Sequence, residues 1–433
     1  MEALLFLGLA AGGLILLFLA GVPVFLAFLI LNVSGVAILI GPRAFGLVVN
    51  SIFTTATTGT LTAVALFVLM GEILFRSGAT DVLFRAMDRL IGRVAGRQFM
   101  LAGALSAVFG ALSGSNMAVA AMMARTIFPG MMARGYDRRL SIGMILGGAS
   151  LAPVIPPSVL VIIIATLANV SVAGLLIAGV LPGLLLAGLF IFYAMIRVRL
   201  DAALAPEATE AAGGDGSAWA ALLSCAPFLL IMASVMGLIL LGVATPSESA
   251  ATGVVGAMIA AAVFGRLRLT MLSEALRSAA LITAMIIVIM ASSTLFSQLL
   301  AISGASGALT EAVSALGLSP WLMLLAMLGL VFVFCLFVDQ VAVMLVIIPI
   351  YLPLVETLGF DPLWFWLLML LNVTVGGITP PFGYAMFAFK GAADGVTMDE
   401  LFAAAWPFVG LFLLGMGIVA AFPGLATWLP GFL

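Results

Sequence analysis

The sequence predicts an all-α integral membrane protein made of two inverted-topology repeats, each with a re-entrant helical hairpin and a discontinuous transmembrane helix. Three observations carry that expectation. Of 433 residues, 65% are hydrophobic and 8% charged, with mean hydropathy +1.36, whereas soluble globules are about 45–50% apolar and about 25% charged. Landmarks recur 224 positions apart: Pro129, Gly135, Asp137, Pro156 and Pro157 answer Pro353, Gly359, Asp361, Pro380 and Pro381. Tyr136 and Phe360 stand between glycine and aspartate in the two copies, so ARGYD matches TLGFD and VIPPS matches ITPPF without insertion. Finally, nearly all the positive charge falls on one face when the chain is threaded with hairpins.

Taken in order, apolar runs near the length of about 20 residues that crosses a bilayer lie at 3–20, 22–40, 58–75, 172–196, 219–243, 247–265, 280–301 and 401–421. The first run lacks a positive n-region and a small-residue cleavage site, so it reads as a span and not as a signal peptide. Two longer runs, 140–168 and 364–390, carry the double prolines in their middles; proline supplies no N–H and clashes with the preceding turn, so both read as broken helices. Segments 79–95 and 304–318 form another matched pair. In the first, Val82, Leu83, Ala86, Leu90 and Val94 recur near helical spacing among Arg85, Asp88, Arg89 and Arg93, the pattern of an amphipathic arm at the membrane interface. Residues 201–217, rich in Ala, Gly and Glu, read as a cytoplasmic linker. The expected division is therefore 1–200 for the first repeat, 201–217 for the linker and 218–433 for the second repeat.

Segments 97–134 and 321–358 each hold two apolar stretches meeting at a polar tip. Each reads either as an ordinary pair of crossings or as a hairpin that dips in and returns, its irregular tip shielded by protein. Short loops rich in Lys and Arg favour the cytoplasm. Threading both segments as hairpins puts Arg76, Arg85, Arg89, Arg93, Arg97, Arg134, Arg138, Arg139, Arg197, Arg199, Arg266, Arg268, Arg277 and Lys390 on one side and leaves Arg43 on the other. The second hairpin opens outward, flanked by Glu311, Glu356 and Asp361. The first repeat then holds five full crossings, an odd number, so the second starts from the opposite side. Inverted halves with interrupted helices are the geometry of alternating access in secondary transporters.

The composition also excludes chemistry. Histidine is absent, which removes Ser-His and His-metal arrangements. Cys225 and Cys335 lie in apolar runs without metal-ligand or disulfide spacing and read as core residues. A net charge of −2 leaves no footprint for nucleic acid.

A hairpin tip places one half-helix C-terminus and the next N-terminus side by side, with carbonyls and amides that have no intrahelical partner. Such ends bind cations and anions respectively. The first tip, Ser113-Gly114-Ser115-Asn116, offers hard oxygen ligands suited to an alkali cation; its break holds Gly147-Gly148 and Pro156-Pro157. The competing reading is an N-cap by Ser115 or Asn116 with close packing at the glycine. The second tip has Asp339-Gln340 where the first has Ser115-Asn116, and its break holds Asn372, Thr374, Gly376-Gly377 and Thr379-Pro380-Pro381. An Asp inside a span is expensive and marks a functional candidate, with N-capping as its competitor. Symmetry then groups Ser113, Ser115, Asn116 and Gly148 as one cation site and Asp339, Asn372 and Thr379 as another. Ser115, Asn116, Pro156, Pro157, Pro380 and Pro381 are placed around a transported solute, since half-helix N-termini suit an anionic group.

The runs SGSNMAVAAMMARTIFPGMMARGYDRRLSIGMILGGASLAPVIPPS, FVDQVAVMLVIIPIYLPLVETLGFDP and GGITPPFG resemble the large membrane subunit of tripartite ATP-independent periplasmic (TRAP) transporters, over nearly the whole chain. The resemblance implies a sodium-driven importer of an organic acid, of the C4-dicarboxylate, sialic acid or other sugar-acid class, in the cytoplasmic membrane of a bacterium or archaeon. It further implies elevator-type movement, a periplasmic substrate-binding protein, a separate small four-helix membrane subunit, and no cofactor beyond sodium as coupling ion. The fold is related to that of divalent-anion sodium symporters, so a stand-alone symporter is the alternative. Where the family has a small or neutral residue, this chain has Arg125, nine positions before Arg134; it is expected either to snorkel to the cytoplasmic face or to meet a substrate carboxylate.

Overall fold

The computed structural model describes residues 2–78, 82–83, 86–87, 96–206 and 218–433, and every regular element among them is helical. The first half runs α1 (Glu2–Leu19), α2 (Val24–Leu39), α3 (Gly46–Ala56), α4 (Thr60–Arg76), α5 (Arg97–Ser113), α6 (Asn116–Thr126), α7 (Phe128–Ala133), α8 (Arg138–Ala149), α9 (Val159–Leu167), α10 (Val172–Ala178) and α11 (Val180–Leu200). The second runs α12 (Ala218–Leu240), α13 (Pro246–Val263), α14 (Leu269–Ile302), α15 (Ala305–Ala315), α16 (Pro320–Cys335), α17 (Gln340–Thr357), α18 (Pro362–Gly376), α19 (Tyr384–Ala392), α20 (Met398–Ala421) and the short α21 (Gly424–Thr427). Among the described residues, five helical stretches are each long and apolar enough to cross a bilayer: Val172–Leu200, Pro246–Val263, Leu269–Ile302, Gln340–Thr357 and Met398–Ala421. The pair Arg43–Ala56 and Thr60–Arg76, bent by 57°, makes a sixth when taken together. The protein is an all-helical, multi-span membrane protein.

Both double-proline runs are broken where expected. The first is α8 and α9 separated by residues 150–158, the second α18 and α19 separated by 377–383, and the Pro156–Pro157 and Pro380–Pro381 bonds are both cis. Aspartate caps both starts: Asp137 accepts from Leu140 N at 2.7 Å and Asp361 from Trp364 N at 2.8 Å.

Four features differ from expectation or lie beyond it. Helix α3 has no counterpart in the apolar runs, because Asn50, Ser51, Thr54 and Thr55 depress the hydropathy of a segment that is nonetheless helical. Helix α14 starts eleven residues before the run at 280–301 and is 34 residues long, about 51 Å at 1.5 Å per residue. Its polar first turns are helical because Glu274 and Ser278 bind Arg76 at 2.8 and 3.0 Å. Helix α17, at 18 residues, is by itself long enough to cross, so length does not make the second tip re-entrant. Most of the arm at 79–95 lies outside the described residues, although Leu83 and Ala86 are buried; its partner is helical as α15. Of the linker, 207–217 also lie outside; its start makes a turn at Ala202–Leu204 and packs on α8, where Asp137 N donates to Leu204 O at 2.9 Å.

Helix α20 serves as a ruler for direction. Near its start Glu400 pairs with Arg138, at the start of α8, at 3.0 Å. Near its middle, Phe408 lies where Cβ atoms on Gly143 and Gly147 of α8 would fall, 2.4 and 2.5 Å away. Near its end the Val419 carbonyl accepts from Trp364 Nε1, at the start of α18, at 3.0 Å. Glu400 and Val419 are about 28 Å apart along a helix, so α8 and α18 start at opposite ends of α20 and run in opposite directions. Each paired helix runs alongside its own broken helix. Gly110 of α5 meets Ala152, while Leu328 and Cys335 of α16 meet Asn372 and Gly376 of α18.

These helices form two packing groups. Helices α2, α3, α4, α12, α13 and α14 pack on one another as a frame. Helices α5, α6, α8, α9, α11 and α16 to α20 form a second body, reached by the frame through α4 on α5 and α9 and through α14 on α17.

Candidate functional site

The two breaks and the two tips converge inside the second body. At the first tip Gly114 ends α5 with φ +62°, a left-handed conformation that costs glycine nothing and most residues about 1 kcal/mol or more. That sharp reversal lets α6 start two residues after α5 ends. Ser115 caps α6, its Oγ accepting from Ala118 N at 3.3 Å. Asn116 is 2% exposed; its Oδ1 accepts from Met117 N at 2.8 Å and its Nδ2 donates to the Tyr384 hydroxyl at 3.0 Å. The side chain of Ser113 lies outside the described residues.

Tyr384 belongs to the second break, so the first tip is tied to the opposite copy's broken helix. The joint closes over Gly377, where a Cβ would fall 2.5 Å from the Tyr384 hydroxyl and 2.8 Å from Asn116 Nδ2. The grouping by repeat expected from the sequence is therefore crossed at Asn116. The same tip also abuts its own break, with Gly114 facing Val159 N at 3.7 Å from a built Cβ. Gly148 serves packing between α5 and α8: a Cβ there would meet Ser106 Cβ at 2.5 Å, and its carbonyl accepts from Leu151 N at 3.1 Å.

At the second tip Asp339 caps α17, Oδ1 accepting from Val341 N at 2.9 Å. Its side chain is exposed. Asn372 is 1% exposed, with Nδ2 donating to Leu328 O at 2.8 Å, while its Oδ1 is buried with no protein donor. Neighbouring Gln340 likewise has a buried Oε1 without a donor. Thr374 and Thr379 donate to Leu370 O and Val375 O at 2.6 and 2.7 Å. Their protons are thus committed to carbonyls, and the hydroxyl lone pairs are left as acceptors.

Pro156, Pro157 and Pro380 are buried, and Pro381 reaches the surface. Arg125 is exposed in the last turn of α6, ten residues and about 15 Å along the helix from Ser115. A small solute held at the tip lies beyond its reach; a cation there instead faces the C-terminal end of the helix dipole.

Two side chains that sequence reasoning passed over belong here. Tyr384 follows the TPPFG break where the first copy has Leu160, so the loss of symmetry at that position was the available signal. Glu72, an acid within the α4 run, lines a cavity of about 360 Å³, with Gly71 on one side and Gly114, Ser115 and Ala118 on the other. Glu72 pairs with Arg76 at 3.1 Å, and Arg76 pairs with Glu274 at 2.8 Å. The cavity lies between frame and body, with the first tip as its wall.

A helical body with interrupted helices, closed on one side by a frame and facing it across a polar-tipped cavity, defines a polytopic membrane permease. The fold agrees: the YdaH transporter of Alcanivorax borkumensis superposes with TM-score 0.64 at 17% identity, over 96% of this chain and 100% of that one. The family model described as the DctM component of tripartite ATP-independent periplasmic transporters matches residues 11–425, and the chain belongs to that family. It is 30% identical to the C4-dicarboxylate TRAP transporter large permease protein DctM of Pseudomonas aeruginosa, over 92% of each chain. It is 29% identical to the ectoine TRAP transporter large permease protein TeaC of Halomonas elongata, over 85% of this chain and 86% of that one. The 2,3-diketo-L-gulonate TRAP transporter large permease protein YiaN of Escherichia coli is 26% identical, over 98% of this chain and 97% of that one. The protein is a multi-pass inner-membrane TRAP permease and not an enzyme.

Proposed function

We propose that this permease imports an organic acid together with sodium, the body carrying both past the frame in an elevator movement. The observation that carries the reading is the joint of Asn116, Gly377 and Tyr384, which adjoins Ser115, a wall of the frame cavity. Buried oxygens without donors, such as Asn372 Oδ1, are costly unless something fills them, and a hard alkali cation is suited to neutral oxygen ligands. Ser113, Ser115, Asn116, Gly148, Asp339, Asn372 and Thr379 are our candidates for sodium. Ser115 and Asn116 are the candidates for substrate, with Pro156, Pro157, Pro380 and Pro381 shaping the two breaks around it. The opposed directions of α8 and α18 support two inverted repeats, 1–200 and 218–433, joined through 201–217. Each tip meeting the level of its break supports re-entrant hairpins.

The relatives named for C4-dicarboxylates, ectoine and 2,3-diketo-L-gulonate support an organic acid delivered by a periplasmic binding protein, with a separate small membrane subunit completing the permease. The test is reconstitution of all three components in liposomes under an inward sodium gradient with labelled organic acid. Accumulation that requires sodium, the binding protein and the small subunit is expected. Equal accumulation without sodium refutes the coupling, and full uptake by this chain alone refutes the tripartite assembly.

A further inference from the structure

A groove of about 430 Å³ runs between α1 and α15 on one side and α16 and α17 on the other, and it shares no residue with the cavity at the first tip. Each lining residue has an apolar side chain or none, except Tyr351. Tyr351 is 4% exposed, and its hydroxyl donates to Met327 O at 3.2 Å. A cavity water needs about two to four polar partners, which these walls do not supply.

The dimensions and the setting fit hydrocarbon. On α16 the lining runs from Met323 to Phe334, and on α17 from Val343 to Leu354, about 16 Å along either helix. The hydrocarbon core of a bilayer is about 30 Å thick, so the groove is as long as one leaflet is deep. Trp321 is exposed at the start of α16, where aromatic belts mark the membrane interface, and α16 ends at the second tip. The volume is about fourteen times a water's share of the liquid, room for one chain of roughly a dozen methylenes. Along the rim Gly8, Ala326 and Leu330 are exposed, whereas Val343, Ile347 and Tyr351 are buried at the floor. The groove therefore opens sideways, among exposed apolar side chains such as Leu9 and Leu325 that face lipid tails in a membrane-spanning protein.

Charge at the end away from the tip has one sign. Glu311 is exposed on α15 between the lining residues Leu309 and Val313, and Glu356 is exposed two residues beyond Leu354. The sequence has no Lys or Arg at 1–42 or 278–389, so none of the four helices that wall the groove carries a basic side chain. An ammonium group finds a counter-charge there, and a purely anionic headgroup finds none.

We propose that the groove holds one acyl chain of a membrane lipid whose headgroup carries an amine, of the phosphatidylethanolamine kind. Helix α1 packs on α2 and α15 on α14, both of the frame, whereas α16 and α17 belong to the body, so the bound chain lies in the seam between the two groups. The site takes neither substrate nor sodium, and its test is independent of whether uptake proves sodium-coupled. The full chain with its small subunit is placed in phosphatidylcholine vesicles containing a phosphatidylethanolamine with a photoactivatable group within its acyl chain, and after illumination the adducts are mapped by mass spectrometry. We expect adducts on Val343, Ile347 or Tyr351 that unlabelled phosphatidylethanolamine lowers at least threefold and phosphatidylglycerol leaves unchanged. Ala326→Phe, which fills the mouth, should remove them while adducts at the exposed Leu322 and Val333 persist. Gly8→Leu on the opposite rim, where a Cβ meets nothing within 4 Å, gives the same readout should Ala326→Phe fail to assemble. Glu311→Gln combined with Glu356→Gln should keep the floor adducts and erase the preference between headgroups. Adducts confined to exposed side chains, equal competition by the two lipids, or floor adducts that form only when the small subunit is omitted overturn the proposal; the last result means that the subunit itself fills the groove.

Discussion

Tyr384→Phe removes one oxygen and leaves the ring, so it isolates the bond between the first tip and the second break. Asn116 Nδ2 then loses its acceptor at a position 2% exposed, and water has little access to replace it. A buried donor left unsatisfied costs about 1–3 kcal/mol. If the joint holds the tip oxygens in the geometry a cation uses, that cost appears in the bound state, and at 1.4 kcal/mol per tenfold the sodium half-saturation concentration rises about 5-fold to 100-fold. The assay is the sodium dependence of organic-acid uptake in the three-component liposomes, with thermal stability of the purified chain measured alongside. Tyr351→Phe is the control: Tyr351 is 4% exposed and donates to Met327 O at 3.2 Å within the second helix pair, away from the joint. It should lower stability and leave the sodium titration unchanged. A half-saturation for Tyr384→Phe within about twofold of the parent, at unchanged stability, refutes the coupling of this joint to the cation.

Three further outcomes separate competing roles. Asp339→Asn keeps an oxygen to cap α17 but removes the charge, so sodium dependence should weaken while folding is retained; Asp339→Ala adds a capping loss of about 0.5–2 kcal/mol. Unchanged sodium titrations in both variants remove Asp339 from the cation site. Gly148→Ala forces a methyl against Ser106 at 2.5 Å, an overpacking cost of about 1–3 kcal/mol, so thermal stability should fall with the sodium half-saturation unmoved; the opposite pattern restores Gly148 as a ligand. Glu72→Gln removes a negative charge from the tip cavity, and the KM for an anionic substrate should fall severalfold; an unchanged KM takes Glu72 off the substrate path.

Much of the architecture was legible because its signals are local. Proline at 156–157 and 380–381 breaks a helix whatever surrounds it, and Asp137 and Asp361 announce the helices that follow. What escaped depends on partners distant in sequence. Residues 269–279 look too polar for a membrane helix until Arg76 is placed beside Glu274 and Ser278. Helix α3 was lost to its own threonines, and two of those, Thr54 and Thr55, line a cavity between frame and body. Ligand and packing readings of Gly148 predict the same sequence; the approach of Ser106 shows the packing contact, and a ligand role for the carbonyl is a proposal. The bond from Asn116 to Tyr384 spans 268 positions and crosses the two copies, so a reading that assigned one site to each copy had no means of finding it.

An elevator requires two bodies that are each stiff and only lightly joined, and the distribution of polar contacts bears on that requirement. Inside the frame, Asn32 Nδ2 donates to Ser292 O at 2.7 Å, Ser51 to Ala291 O at 3.0 Å, and Arg76 pairs with Glu274. Inside the body, Asn116 holds Tyr384, Arg138 holds Glu400, and Trp364 holds the Val419 carbonyl. The contacts that bridge the groups are neutral: Thr166 to the Thr60 hydroxyl at 3.3 Å and Ser293 to Leu345 O at 2.7 Å. Each is worth about 0.5–1.5 kcal/mol net, and a sliding helix can exchange each for water or for another hydroxyl of the same wall. Among the described residues, the ion pairs of Arg76 with Glu72 and Glu274 and of Arg138 with Glu400 each lie within one group. The elevator movement proposed above would then separate none of these ion pairs.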